Sequence, residues 1–107
     1  MKAYEIINYL ENYFPLELQM DFDCCGLQIG NRNKEIKKVY IALNADNETL
    51  QACIEQDCQM LITHHPFLLE KIKNMDVNEH QGYFISLAMR HDIVVYSLHT
   101  CLDRGKN

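Results

Sequence analysis

The chain has 107 residues, 48% hydrophobic and 23% charged, with ten basic against fifteen acidic side chains and a formal net charge of -5. This is the balance of an ordinary globular domain, and it excludes disordered, fibrous and collagen-like classes. No apolar run reaches the ~18 residues of a transmembrane helix, and the acidic balance argues against nucleic acid as a partner.

The first element is a helix over residues 2–14, where Ala3, Ile6, Ile7, Leu10 and Phe14 recur at helical spacing before Pro15 stops it. The opening Met1-Lys2-Ala3-Tyr4-Glu5 has none of the character of a signal peptide, so a cytoplasmic location is expected. Residues 16–33 read as irregular, with Gly26 and Gly30 bracketing Leu27-Gln28-Ile29, which is consistent with a short strand. Lys34, Lys37 and Lys38 cluster around Glu35 and read as a solvated loop entering a strand, not as a phosphate-binding patch.

Residues 38–43, Lys38-Val39-Tyr40-Ile41-Ala42-Leu43, read as a buried strand. Asn44 to Asn47 then supply turn and N-cap chemistry for a helix over 48–57, with Leu50, Cys53 and Ile54 on one side. Met60-Leu61-Ile62 is a second apolar run, ended by Thr63-His64-His65-Pro66. Asn78 has N-cap character for a helix over about 79–91 carrying Tyr83, Phe84, Leu87 and Ala88. Ile93-Val94-Val95-Tyr96 is a third strand, and it runs into Ser97-Leu98-His99-Thr100-Cys101-Leu102-Asp103.

Strand, helix, strand, helix, strand is a doubled β-α-β unit. The expected class is therefore α/β, with a mostly parallel sheet, right-handed crossovers and flanking helices. No linker or repeat divides residues 1–107. The five cysteines, Cys24, Cys25, Cys53, Cys58 and Cys101, form no C-x-x-C pair. They are expected to be reduced and to act as small apolar residues, without an intramolecular disulfide. Cys53 and Cys58, five apart on the expected helix, should not share a face.

The reactive residues follow the strands. His64 and His65 come after the second, His99 and Asp103 after the third. Ligands in open parallel sheets gather beyond the carboxyl ends of strands. If those two strands are neighbours, the loops converge across about 4.8 Å. Imidazole with carboxylate suits zinc, iron or manganese, whereas calcium and magnesium prefer oxygen alone. Adjacent histidines on an extended segment project to opposite sides, which suits one ion each better than joint chelation. Pro66 favours that extended geometry in the residue before it. His80 and His91 read as structural, His91 through the dipole at a helix carboxyl end. Glu70 reads as a solvated loop carboxylate.

Thr63-His64-His65-Pro66, followed by His99-Thr100-x-Leu102-Asp103, resembles the paired signature of the Nif-three-like dinuclear metal proteins. Members of that family are known as homologues of a type 2 GTP cyclohydrolase I. Asp21-Phe22-Asp23-x-x-Gly26-Leu27-x-Ile29-Gly30 is similar to the family's amino-terminal segment, and Val39-Tyr40-Ile41-Ala42-Leu43-Asn44-Ala45 also fits. Cys24-Cys25 stands where members commonly have Asn-Val, and Cys101 where they have Asn.

The resemblance covers essentially the whole chain and implies a larger three-layer α/β/α fold, of which residues 1–107 are the amino-terminal part. It implies His64 and His65 as ligands of one metal each, Asp103 as an aspartate ligand, and His99 as a histidine beside the site, an orienting partner or auxiliary ligand. It also implies two divalent ions in the complete protein, further histidine and glutamate ligands on a later helix, and a homo-oligomeric, hexameric ring. Two functions fit: a metal-dependent hydrolase of a nucleotide or related phosphorylated small molecule, or a non-catalytic, metal-stabilised regulatory protein. A fragment ending just after Asp103 is expected to bind metal weakly or singly, to show little catalysis, and to associate through an open sheet edge.

Overall fold

The computed structural model describes residues 1–13, 26–65 and 74–98. Its elements are α1 (Ala3–Tyr13), β1 (Gly26–Ile29), β2 (Val39–Ala42), α2 (Asn47–Glu55), β3 (Met60–Thr63), α3 (His80–Arg90) and β4 (Val94–Ser97). The four strands form one sheet in the order β1-β4-β3-β2. β2, β3 and β4 are parallel, and β1 adds antiparallel to the outer side of β4. The mostly parallel sheet built on a doubled β-α-β unit is thus present, extended by one reversed strand.

Central strands buried on both faces read as unbroken apolar runs, and β3 and β4 are buried at every position. Their register pairs Met60 with Val94, Leu61 with Val95, Ile62 with Tyr96 and Thr63 with Ser97. Successive side chains alternate between faces. Leu61 and Val95 therefore pack with Leu50, Cys53, Phe84 and Leu87 of α2 and α3. Met60, Ile62, Val94 and Tyr96 pack instead with Ala3 and Ile7 of α1. Fully burying a side chain such as Leu61 contributes about 1.5–3 kcal/mol, and two such cores hold three layers together.

The helix ends explain how the strands are entered. α1 is anchored where the Ala3 and Tyr4 N–H groups each donate at 2.8 Å, to the carbonyls of Lys34 and Arg32. Those are first-turn donors with no partner inside the helix. The amino-terminal ammonium pairs with the Glu35 carboxylate and holds that carboxyl below its usual range. The Tyr96 hydroxyl donates to Glu11 Oε2 at 3.0 Å, tying α1 to β4.

Both crossover helices end in one turn type. Asp57 and Asp92 take φ of 60° and 54° directly after the caps Gln56 and His91. The next N–H, of Cys58 or Ile93, reaches back to Cys53 or Ala88 at 3.0 and 2.8 Å. That is a Schellman ending, with aspartate where glycine is usual.

Four sequence expectations are revised. The second helix ends at Glu55, because Asp57 turns left-handed where the periodic pattern would have carried on. Cys58 consequently lies beyond the helix, and the turn folds it back, so Cys53 and Cys58 share one core after all. α3 has Glu79 as its cap without a side-chain bond; Asn78 instead donates its N–H to Asp76 Oδ1 at 2.9 Å. Finally, β2 is an edge strand rather than a buried one, with Ile41 77% exposed. The outer side of β4 is covered by β1, so among the described residues the edge strands are β1 and β2.

Candidate metal centre

β3 ends at Thr63, and the chain bends at His64 and His65. The bend is held from both neighbouring strands. On the β2 side, the His64 and His65 N–H groups donate to the Ala42 and Leu43 carbonyls at 3.3 and 2.9 Å. On the β4 side, the Ser97 hydroxyl donates to the His64 carbonyl at 3.2 Å, and the Leu98 N–H donates to the Thr63 carbonyl at 3.0 Å. Thr63 closes the bend itself, its hydroxyl donating to the His65 carbonyl at 2.7 Å. Hydroxyl residues offer the backbone such local bonds as an alternative to continuing a strand. Thr63 and Ser97 are the buried polar residues of the described core, and these bonds satisfy them.

The bend changes where the imidazoles go. An extended pair would diverge; here the His64 and His65 ring centroids lie 5.1 Å apart with planes at 69°. The expectation of rings on opposite sides is therefore corrected, because the chain bends at His64 and His65 instead of remaining extended, with bonds from Thr63, Ser97, Ala42 and Leu43 holding the bend. Both histidines are half-buried, and Nδ1 of His64 is shielded from solvent. Nδ1 of His65 lies 2.7 Å from Oδ1 of Asn44, two residues past β2. An amide oxygen only accepts, so this contact is a hydrogen bond when the imidazole carries its proton on Nδ1.

β3 and β4 are adjacent, as the site requires, and Leu98 leaves β4 bonded to Thr63. His99, Cys101 and Asp103 lie outside the described residues, as do Cys24, Cys25, Pro66 and Glu70. Among the described residues no group of three or more His, Cys, Asp or Glu is arranged to hold a metal. Of the residues expected at the site, the described ones are the two imidazoles of His64 and His65. The other two described histidines are structural in form: His91 caps α3, and His80 Nδ1 lies 3.1 Å from the Asn47 amide nitrogen. Cys53 and Cys58 are free thiols inside the α2/α3 core, and burial pushes Cys53 up to about 12. Such a thiol stays protonated at neutral pH and packs as a small apolar group.

The family model described as Duf34/NIF3 (NGG1p interacting factor 3) matches residues 1–107. The chain belongs to the Duf34/NIF3 family. Among curated relatives, a GTP cyclohydrolase 1 type 2 homolog of Methanocaldococcus jannaschii is 39% identical over 108 aligned residues, 100% of this chain and 43% of the relative. One from Clostridium acetobutylicum is 34% identical over 107 residues, 100% of this chain and 40% of the relative. A Bacillus cereus protein related to NIF3 superposes with a TM-score of 0.89 at 33% identity, covering 96% of this chain and 28% of that one. Reduced HcgD from Methanocaldococcus jannaschii gives 0.88 at 39% identity, over 96% and 41%. The chain thus spans less than half the length of these Duf34/NIF3 relatives, and it matches an amino-terminal portion of the fold.

Within this Duf34/NIF3 chain, three residues that hold the histidines were not singled out from sequence. Thr63 and Ser97 were visible only as neighbours of the histidine motifs, and Asn44 only as turn chemistry. A usable signal existed for all three: each lies at the carboxyl end of a strand adjoining or carrying the histidines. No helix of the described residues is long and apolar enough to cross a membrane.

Proposed function

We propose that the chain is the amino-terminal part of a protein that binds divalent metal through His64 and His65, with Asp103 completing the near side of the site. The observation that carries this reading is the bend after β3, which sets two imidazoles 5.1 Å apart at the carboxyl edge of a parallel sheet. The donor chemistry fits: nitrogen donors with a carboxylate suit zinc, iron or manganese. His64 and His65 would each serve one of two ions, Asp103 would bind or bridge them, and His99 would orient a ligand or assist. A zinc-type site takes about four donors, so the remaining donors would come from outside this segment, as the length of the relatives suggests. The bound ions would supply Lewis-acid polarisation and an activated water. The relatives' name, GTP cyclohydrolase 1 type 2 homolog, supports a hydrolase of a nucleotide-like phosphorylated small molecule.

A second reading is favoured by the edge of β2, where Ile41 and Leu43 are 77% and 59% exposed. A strand edge unpaired among the described residues, with exposed apolar side chains beside it, invites association, so a metal-stabilised, non-catalytic oligomer such as a hexameric ring also fits. Replacing Asp103 by Ala separates the two. An enzyme loses turnover of a nucleoside triphosphate and keeps its fold; a structural site loses its assembly, read by light scattering, or its fold.

A further inference from the structure

We infer that Asn44 is a positioning residue of the metal centre: it holds the His65 imidazole protonated on Nδ1 and so presents Nε2 as the donor to a divalent cation. This rests on the metal reading above and adds the atom through which His65 acts.

A neutral imidazole in water prefers its proton on Nε2, which would leave Nδ1 as the free donor. The contact at 2.7 Å between His65 Nδ1 and Asn44 Oδ1 reverses that preference. Histidines that bind metals commonly donate their other ring N–H to an oxygen, which fixes tautomer and ring orientation. Asn44 is well fixed for this task. The residue before it, Leu43, accepts the His65 N–H at 2.9 Å, so strand pairing sets the spacing between the two backbones. Two residues after it, Asp46 caps α2 by accepting the Thr49 N–H at 2.8 Å. Asn44 is therefore pinned between a strand ladder and a helix cap. Its amide is uncharged and sits on the far side of the ring from Nε2, so it orients the imidazole without competing for the cation.

The test reads the tautomer directly. Long-range proton–nitrogen NMR on the ¹⁵N-labelled, metal-free protein, at a pH where imidazole is neutral, assigns the protonated nitrogen of His65. The wild type is expected to show Nδ1–H, Asn44→Ala to revert to Nε2–H, and Asn44→Asp to retain Nδ1–H. The exposed cap His91 should be unchanged in all three, which reports an intact fold. Zinc titration should then weaken about 10–100-fold in Asn44→Ala and recover in Asn44→Asp. An Nε2–H tautomer in the wild type, or an unchanged tautomer in Asn44→Ala, overturns the inference. So does equal zinc affinity of wild type and Asn44→Ala after the tautomer has switched, and in that case the metal reading survives. If the tautomer switches but the wild type takes up no zinc, the metal reading falls, and with it the donor role assigned to Nε2.

Discussion

The two ends of the sheet are built from different chemistry. At the amino end, β3 and β4 are entered through backbone turns: left-handed Asp57 and Asp92, each followed by a Schellman bond. The polar side chain that matters there, Gln59, accepts the Lys37 and Lys38 N–H groups at 2.8 and 2.9 Å and so secures the entry to β2. Gly30 lies against the start of β4, where a Cβ would come within 2.8 Å of the Val94 Cα. At the carboxyl end, the polar side chains converge on two residues. Thr63 and Ser97 bond the histidine carbonyls, and Asn44 bonds an imidazole. One end spends its polar groups on closing the fold, the other on fixing the histidines. Ligands of open α/β sheets gather at that second end.

Substitutions at the two ends should separate these roles. The largest effect on stability is expected from Gly30→Ala at the amino end. At φ of +121°, with Val94 backbone in the way, it should destabilise by about 3 kcal/mol in denaturant unfolding. The folded fraction should keep its metal affinity. Thr63→Val at the carboxyl end keeps the side-chain volume but removes the bond to the His65 carbonyl. A loss of about 1–2 kcal/mol is expected, now with weaker zinc uptake in calorimetry, because the bend that pairs the rings is released. Equal zinc affinity in Gly30→Ala and Thr63→Val would erase the distinction between the ends.

Asp46→Ala removes the cap of α2 and should cost about 1 kcal/mol at neutral pH. The Thr49 amide holds the Asp46 carboxyl below its usual range, so its contribution is present above the unfolded pKa of about 3.9. That contribution is lost as pH falls through the lower folded value. Urea unfolding of wild type and variant should therefore converge only in strong acid. The smallest effect is expected from Asp57→Gly, which relieves a left-handed aspartate and should raise stability by about 0.5 kcal/mol.

Much of the amino-to-carboxyl order was legible because it rests on periodicity. Met60-Leu61-Ile62 and Ile93-Val94-Val95-Tyr96 are apolar runs too short for helices, and both are central strands. The exposed side of β2 was not legible, since a run such as Val39–Ala42 reads alike in the centre or at the edge of a sheet. The Schellman turns were missed because aspartate, not glycine, takes the left-handed position. The location of His64 and His65 at a strand end followed from sequence, but the direction of their rings did not. That direction follows from bonds made by Thr63, Ser97 and Asn44 on three different strand ends, which no spacing rule encodes.

The central claim is that the paired imidazoles after β3 hold a divalent cation. Calorimetric titration of zinc into the metal-free protein and into a His64→Ala/His65→Ala double variant tests it most directly, with circular dichroism to confirm that both are folded. Saturable binding is expected of the wild type, with a loss of about 100-fold or more in the folded variant. Equal binding by the two folded proteins would contradict it.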